Sequence, residues 1–258
     1  MTSKSGKIYF VTDSHLSSPE DENYSALLSF LDRLIAETAV ESCPLTFVIL
    51  GDLFDFWVGY RKIFPKRYEK IIDRLTDLSR SDVDIRYTEG NHDFFMGPIF
   101  TDRIGTAVYV KPWDMEAQGI RIYIAHGDQV NRKDHGYRLL RFILRSPIFR
   151  IIRRSTPNFV IEMIAKKMSR ASRAYTDRKE DDHEKIAWEF ANARFKEGYD
   201  AVVMGHFHER KLKKTTLNGR ERVYVNVGSW MDGDYDYVIL EGGKFKPLKF
   251  DYKPAQKK

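Results

Sequence analysis

The chain has 258 residues, with 43 Lys+Arg against 37 Asp+Glu and a formal charge of +6. That length suits one large domain, or one domain with an insertion, and 42% hydrophobic with 31% charged residues excludes a disordered chain and a multi-span membrane protein. No apolar run reaches the ~18 residues of a membrane-spanning helix, no signal peptide is expected from Met1 to Phe10, and a lone Cys43 excludes an internal disulfide and suits a reducing cytosol.

Strand-type runs are expected at 8–12, 46–50, 85–88, 120–125, 201–204, 223–227 and 237–240. Apolar residues at helical spacing predict helices at 24–39 and 67–78, between the first strands. Strand–helix alternation argues an α/β fold on a sheet with helical layers. From 131 to 197 the pattern turns helical: 137–145, a second helix opening at Pro147, a third at 158–173 and a fourth at 181–196. The expected organisation is a core of 1–130 and 198–258 with 131–197 inserted between two of its strands.

Charge follows the same division. Residues 131–179 hold 14 Lys+Arg against Asp134, Glu162 and Asp177, a net of +11, and the remainder carries −5. Leu139, Leu140, Phe142, Ile143, Leu144, Ile148, Phe149, Ile151 and Ile152 are interleaved with Arg138, Arg141, Arg145, Arg150, Arg153 and Arg154. Basic residues among aliphatic and aromatic ones suit contact with an anionic membrane surface or with acyl chains.

Five polar clusters stand where strands should end: Asp13-Ser14-His15, Gly51-Asp52, Gly90-Asn91-His92-Asp93, His126-Gly127-Asp128 and Gly205-His206-Phe207-His208. Ligands bind at strand carboxyl ends in α/β sheets, so the five can converge on one site. An Asp such as Asp13, taken alone, reads as a helix cap; taken with four further clusters it reads as a ligand. Carboxylates, imidazoles and one amide oxygen without cysteine describe a site for divalent metals such as Mn²⁺, Fe²⁺ or Zn²⁺. Seven such residues (Asp13, His15, Asp52, Asn91, His126, His206 and His208) are more than one ion needs and suggest two ions sharing a carboxylate. A metal pair of this kind can clamp an in-line displacement at phosphorus. Asp128 reads as a carboxylate accepting the free N–H of a metal histidine, Asp55 as a loop brace, His135 and His183 as surface residues, and Trp57 and Trp230 as packing.

In this order the five clusters resemble the blocks of the calcineurin-like metallophosphoesterases. The resemblance implies a four-layer αββα sandwich with a helical insertion acting as a lid. It also implies one ion on Asp13, His15, Asp52 and His208 and another on Asp52, Asn91, His126 and His206. His92 would then be the catalytic acid or phosphate contact, with Asp93 orienting its imidazole. Gly51-Asp52-Leu53-Phe54-Asp55-Phe56-Trp57, Asn91-His92-Asp93-Phe94 and His126-Gly127-Asp128 before a helical insertion are similar to UDP-2,3-diacylglucosamine hydrolases, which cut a lipid-linked pyrophosphate during lipid A synthesis. His92 stands where many of those enzymes carry Arg. By the same resemblance, Asp134, Tyr137, Ser172, Thr176 and Lys179 fall where polar substrate contacts would lie.

The expected protein is thus a cytoplasmic, dinuclear-metal phosphoesterase, peripheral on the inner membrane, with a lipid-linked nucleotide or other phosphate ester as substrate. The alternatives are a nuclease or nucleotide phosphodiesterase and a metal-free scaffold of the same fold. A nucleic-acid partner is disfavoured because the basic block is rich in aliphatic residues and poor in stacking aromatics. No protein partner is inferable.

Overall fold

The computed structural model describes residues 6–40, 43–59, 64–131, 135–149, 151, 156, 160, 163 and 180–254. In chain order the elements begin β1 (Lys7–Val11), α1 (Glu22–Val40), β2 (Leu45–Ile49), β3 (Trp57–Val58), α2 (Glu69–Arg80), β4 (Val83–Thr88) and β5 (Asp93–Phe94). They continue with β6 (Ala107–Tyr109), β7 (Trp113–Ala117), β8 (Ile120–Ile124), α3 (His135–Leu144) and α4 (Glu180–Lys196). The last are β9 (Ala201–Met204), β10 (Lys211–Leu217), β11 (Arg220–Asn226), β12 (Asp236–Glu241) and β13 (Lys244–Lys249).

Two sheets form, ordered β13-β12-β1-β2-β4-β6 and β10-β11-β9-β8-β7, with a small β3-β5 pair beside them. Strands β1, β2, β4 and β6 run parallel, as do β8, β9 and β11. The period-two geometry of a strand sorts their side chains into layers. Tyr9, Val11, Phe47 and Ile49 pack outward with Leu27, Phe30 and Leu34 of α1 and Ile72 and Leu75 of α2. Ile8, Phe10, Val48 and Leu50 point the other way, onto Ile122, Ile124, Val203 and Val225 of the second sheet. The far face of that sheet, through Val202, Met204 and Tyr224, takes Ala187, Ala191 and Phe195 of α4. Helix, sheet, sheet and helix stack as a four-layer αββα sandwich.

This packing corrects one expectation. The expected insertion of 131–197 includes α4, yet α4 is the outer layer of the sandwich, because its alanine–phenylalanine stripe buries on β9 and β11. Unanticipated strands have a common physical character. β10 (KLKKTTL) and β13 (KFKPLK) are sheet edges whose lysines interrupt any apolar run. Pro247 is tolerated in β13 because an edge strand has no second ladder to donate to.

Candidate metal centre

Beyond the strand ends the loops remain zipped together. Asp13 N–H donates to the Gly51 carbonyl at 3.2 Å, His15 N–H to Asp52 at 2.9 Å, and Gly205 N–H to His126 at 2.8 Å. Holding these loops in register requires an unusual backbone: Asp13, His15, Asp52, His206 and His208 have φ of 49°, 43°, 51°, 71° and 56°. Non-glycine residues rarely adopt this region, and such strain concentrates at functional sites. At Gly90 any Cβ would sit 2.1 Å from Asp52 Oδ1, and at Gly205 it would sit 2.7 Å from Asp13 Oδ2. Both positions bring backbone against a candidate ligand too closely for a side chain.

Each central carboxylate has one oxygen fixed by the protein. Asp13 Oδ2 accepts from the Thr12 hydroxyl at 2.6 Å and from His206 N–H at 2.7 Å. Its Oδ1 is buried without a hydrogen-bond partner, 3.7 Å from His15 Nε2 and 3.5 Å from His208 Nε2. Asp52 Oδ1 accepts from His92 N–H at 2.8 Å, and Oδ2 lies 3.5 Å from His126 Nε2 and 3.9 Å from His15 Nε2. Both ring nitrogens of His15 are likewise buried and unpartnered. His126 Nδ1 donates to the Leu50 carbonyl at 2.6 Å, because a carbonyl can only accept, and this turns Nε2 toward Asn91 Oδ1 at 3.0 Å.

Donor atoms lie within 4.8 Å of one another in three groups: Asp13 with His15 and His208, Asp52 with His126 and His206, and His15 with Asp52 and His92. The structure thus gathers the seven sequence-derived candidates and His92 at one place. Orphaned acceptors in a dry site are costly, and a cation satisfies them. The electrostatics agree. Burial disfavours a charged His126 ring, yet the carboxylates of Asp52, Asp13 and Asp128 push it up to about 10. Burial opposes ionisation of Asp13 and Asp52 too, but the surrounding imidazoles hold both carboxyls below the usual range. The donor set, with nitrogen and oxygen and no sulfur, fits divalent ions.

Two expected roles change. Asp93 does not contact the His92 imidazole. Its Oδ1 accepts from Gly90 N–H at 2.7 Å, and its Oδ2 from Leu53 N–H at 2.9 Å and from the Tyr87 hydroxyl. It ties the Asp52 loop to the Asn91 loop, and burial with the neighbouring Asp52 charge pushes its carboxyl up to about 7. His92 is oriented instead by the Asp55 carbonyl, 2.9 Å from Nδ1. Asp128 likewise makes no hydrogen bond to a ligand histidine. It accepts from the Tyr137 hydroxyl and ion-pairs with Arg141 at 3.1 Å. The Tyr137 hydroxyl, expected among the polar substrate contacts, donates to Asp128. Asp134, Ser172, Thr176 and Lys179 lie outside the described residues. Sequence reasoning missed Thr12, Tyr87 and Glu89; Glu89 adjoins the Gly90 cluster, but its partner is distant in sequence.

The calcineurin-like phosphoesterase family model matches residues 6–210. The chain is similar to UDP-2,3-diacylglucosamine hydrolase of Pseudomonas fluorescens strain Pf0-1, with 29% identity over 248 residues, 96% of this chain and 97% of that one. It is 29% identical over 250 residues to the protein of the same name from Ectopseudomonas mendocina strain ymp, covering 96% and 100%. With that of Pseudomonas fluorescens strain SBW25 it shares 30% over 246 residues, covering 95% and 96%.

Proposed function

We propose, from the premise that this chain belongs to the calcineurin-like phosphoesterase family and is a metal-dependent phosphoester hydrolase, that its substrate is UDP-2,3-diacylglucosamine or a closely related lipid-linked pyrophosphate. The observation that carries the substrate class is the position of α3. Its inner side is bonded to the loops of the metal centre, and its outer side exposes Leu139, Phe142 and Ile143. Apolar surface for acyl chains thus lies next to phosphate chemistry. Ile148, Ile151 and Met163 are exposed as well, and among the described residues no helix is long and apolar enough to cross a membrane. The protein acts on the cytoplasmic side, peripherally at the inner membrane, where such a substrate is presented.

Asp13, His15, His208 and Asp52 would hold one divalent ion, and Asp52, Asn91, His126 and His206 a second, Mn²⁺ suiting this nitrogen–oxygen set. Such ions, when bound, polarise the phosphoryl group and acidify water. Thr12 and His206 N–H fix the plane of the Asp13 carboxylate, and His92 N–H that of Asp52, so neither swings when substrate enters. Leu50 fixes the His126 tautomer. With Nδ1 committed to Asp55, His92 uses Nε2 to give a proton to the leaving oxygen or to hold a phosphate oxygen. Water adds at phosphorus, the P–O bond of the anhydride breaks, and UMP and the diacylglucosamine 1-phosphate leave. With Mn²⁺ the protein should release UMP from UDP-2,3-diacylglucosamine, and Asp52→Ala or Asn91→Ala should reduce this to background. Full activity in both variants would sink the assigned site. Turnover of DNA or soluble nucleotides with none of the lipid would replace the substrate.

A further inference from the structure

Tyr137, Arg141 and Arg145 recur at every fourth position, so they form one stripe along α3 and its last turn. That stripe faces the protein. Tyr137 donates to Asp128 Oδ2, and Arg141 sets Nη1 3.1 Å from the same oxygen while Nη2 donates to the Val110 carbonyl at 3.2 Å. One turn later Arg145 Nη1 pairs with Glu89 Oε2, and Nη2 reaches the Gly90 carbonyl at 3.5 Å. Its guanidinium lies 5.3 Å from the centre of the Phe94 ring. The other Glu89 oxygen accepts from Met96 N–H at 3.0 Å, so this carboxylate is gripped from both sides. These groups are removed from water: Glu89 is 3% exposed, Asp128 7% and Arg141 9%.

The two carboxylates are placed strategically. Asp128 follows the ligand candidate His126 by two residues, and Glu89 precedes Asn91 by two. We propose that Arg141 and Arg145 are positioning residues of the metal centre. Two buried ion pairs clamp α3 across the His126 loop and the Asn91 loop, holding His126 Nε2 and Asn91 Oδ1 at their 3.0 Å approach. The inference rests on reading His126 and Asn91 as ligands and is independent of the lipid substrate. Neither arginine meets a donor atom; each acts through its carboxylate. Because coupling between sites is reciprocal, filling the metal centre also stiffens α3.

The test uses the full chain, freed of metal by chelation, with Mn²⁺ binding followed by calorimetry. Hydrolysis of the small soluble diester bis(p-nitrophenyl) phosphate is measured beside it. Arg145→Gln and Arg141→Gln should each weaken Mn²⁺ binding by about 10–100-fold, the range for partners that orient ligands. At a fixed, sub-saturating Mn²⁺ concentration kcat should fall while KM for the small diester stays within about twofold. Arg145→Lys keeps the charge but loses the two-pronged fork, so it should bind Mn²⁺ with intermediate affinity. Wild-type Mn²⁺ affinity in the glutamine variants, with only a lower melting temperature, would overturn the proposal. Should Arg145→Gln not fold, Arg145→Lys decides: weakened binding supports the clamp and wild-type binding overturns it. A wild-type protein that binds no Mn²⁺ at all would instead refute the metal reading on which the inference stands.

Discussion

Two helices from the same stretch of chain, between β8 and β9, bury opposite kinds of side chain. α4 turns Ala187, Ala191 and Phe195 onto the second sheet and leaves Glu184, Lys185 and Glu189 in solvent. α3 turns Tyr137, Arg141 and Arg145 inward and leaves Leu139, Phe142 and Ile143 respectively 61%, 75% and 50% exposed. What lies beneath each helix decides. Under α4 are Val202, Met204 and Tyr224, whose burial needs apolar partners. Under α3 are Glu89 and Asp128, buried carboxylates that each take an arginine as partner. Burial alone would push Asp128 up, but Arg141, with His126 and His206, holds its carboxyl below the usual range. A basic, apolar helix pattern therefore names the residues of a helix without saying which face is inside.

The contrast can be broken from either side. Phe195→Ala empties a packed position in the α4 layer and should cost about 3–5 kcal/mol of unfolding free energy in urea. A loss under 1 kcal/mol would show that α4 is not a true layer of the sandwich. Tyr137→Phe removes one hydrogen bond from the inward stripe of α3, and about 0.5–1.5 kcal/mol should be lost. The ring and the Arg141 pair remain, so a larger loss would mean that the tyrosine, more than the arginines, anchors the helix. Phe142→Ser, on the outward side, should change stability by no more than about 0.5 kcal/mol. The same change should weaken sedimentation with vesicles containing anionic phospholipid, and unaltered vesicle binding would remove this face from the proposed membrane contact.

The two helices also mark where sequence reasoning held and where it stopped. Helices at 24–39 and 67–78 anticipated α1 and α2, and the strand runs anticipated β1, β2, β4, β8, β9, β11 and β12 to within a few residues. Long apolar periodicity is a local signal, so it survives without tertiary knowledge. The two-residue strands β3 and β5 carry no such period and exist because His92 and Phe94 carbonyls accept from Trp57 and Gly59. The arginines of 131–179 read as one membrane-seeking block, yet Arg141 and Arg145 are spent on internal pairs. Their partners, Asp128 and Glu89, are separated from them by 13 and 56 positions, and no local pattern links them.

The clusters at the strand ends needed no structure to be found. Asp13, His15, Asp52, Asn91, His126, His206 and His208 are chemically conspicuous, and strand ends of an α/β sheet share one edge, so both their identity and their convergence follow from the chain. Tertiary structure alone decided the orientation of each group. It chose which Asp13 oxygen is occupied by Thr12 and which is left bare, gave His92 to the Asp55 carbonyl, and made Asp93 a tie between two loops. The reason is physical. Residue type fixes what a side chain can donate or accept, whereas hydrogen bonds in a buried site are allotted by distance and angle, which exist only once distant loops are brought together.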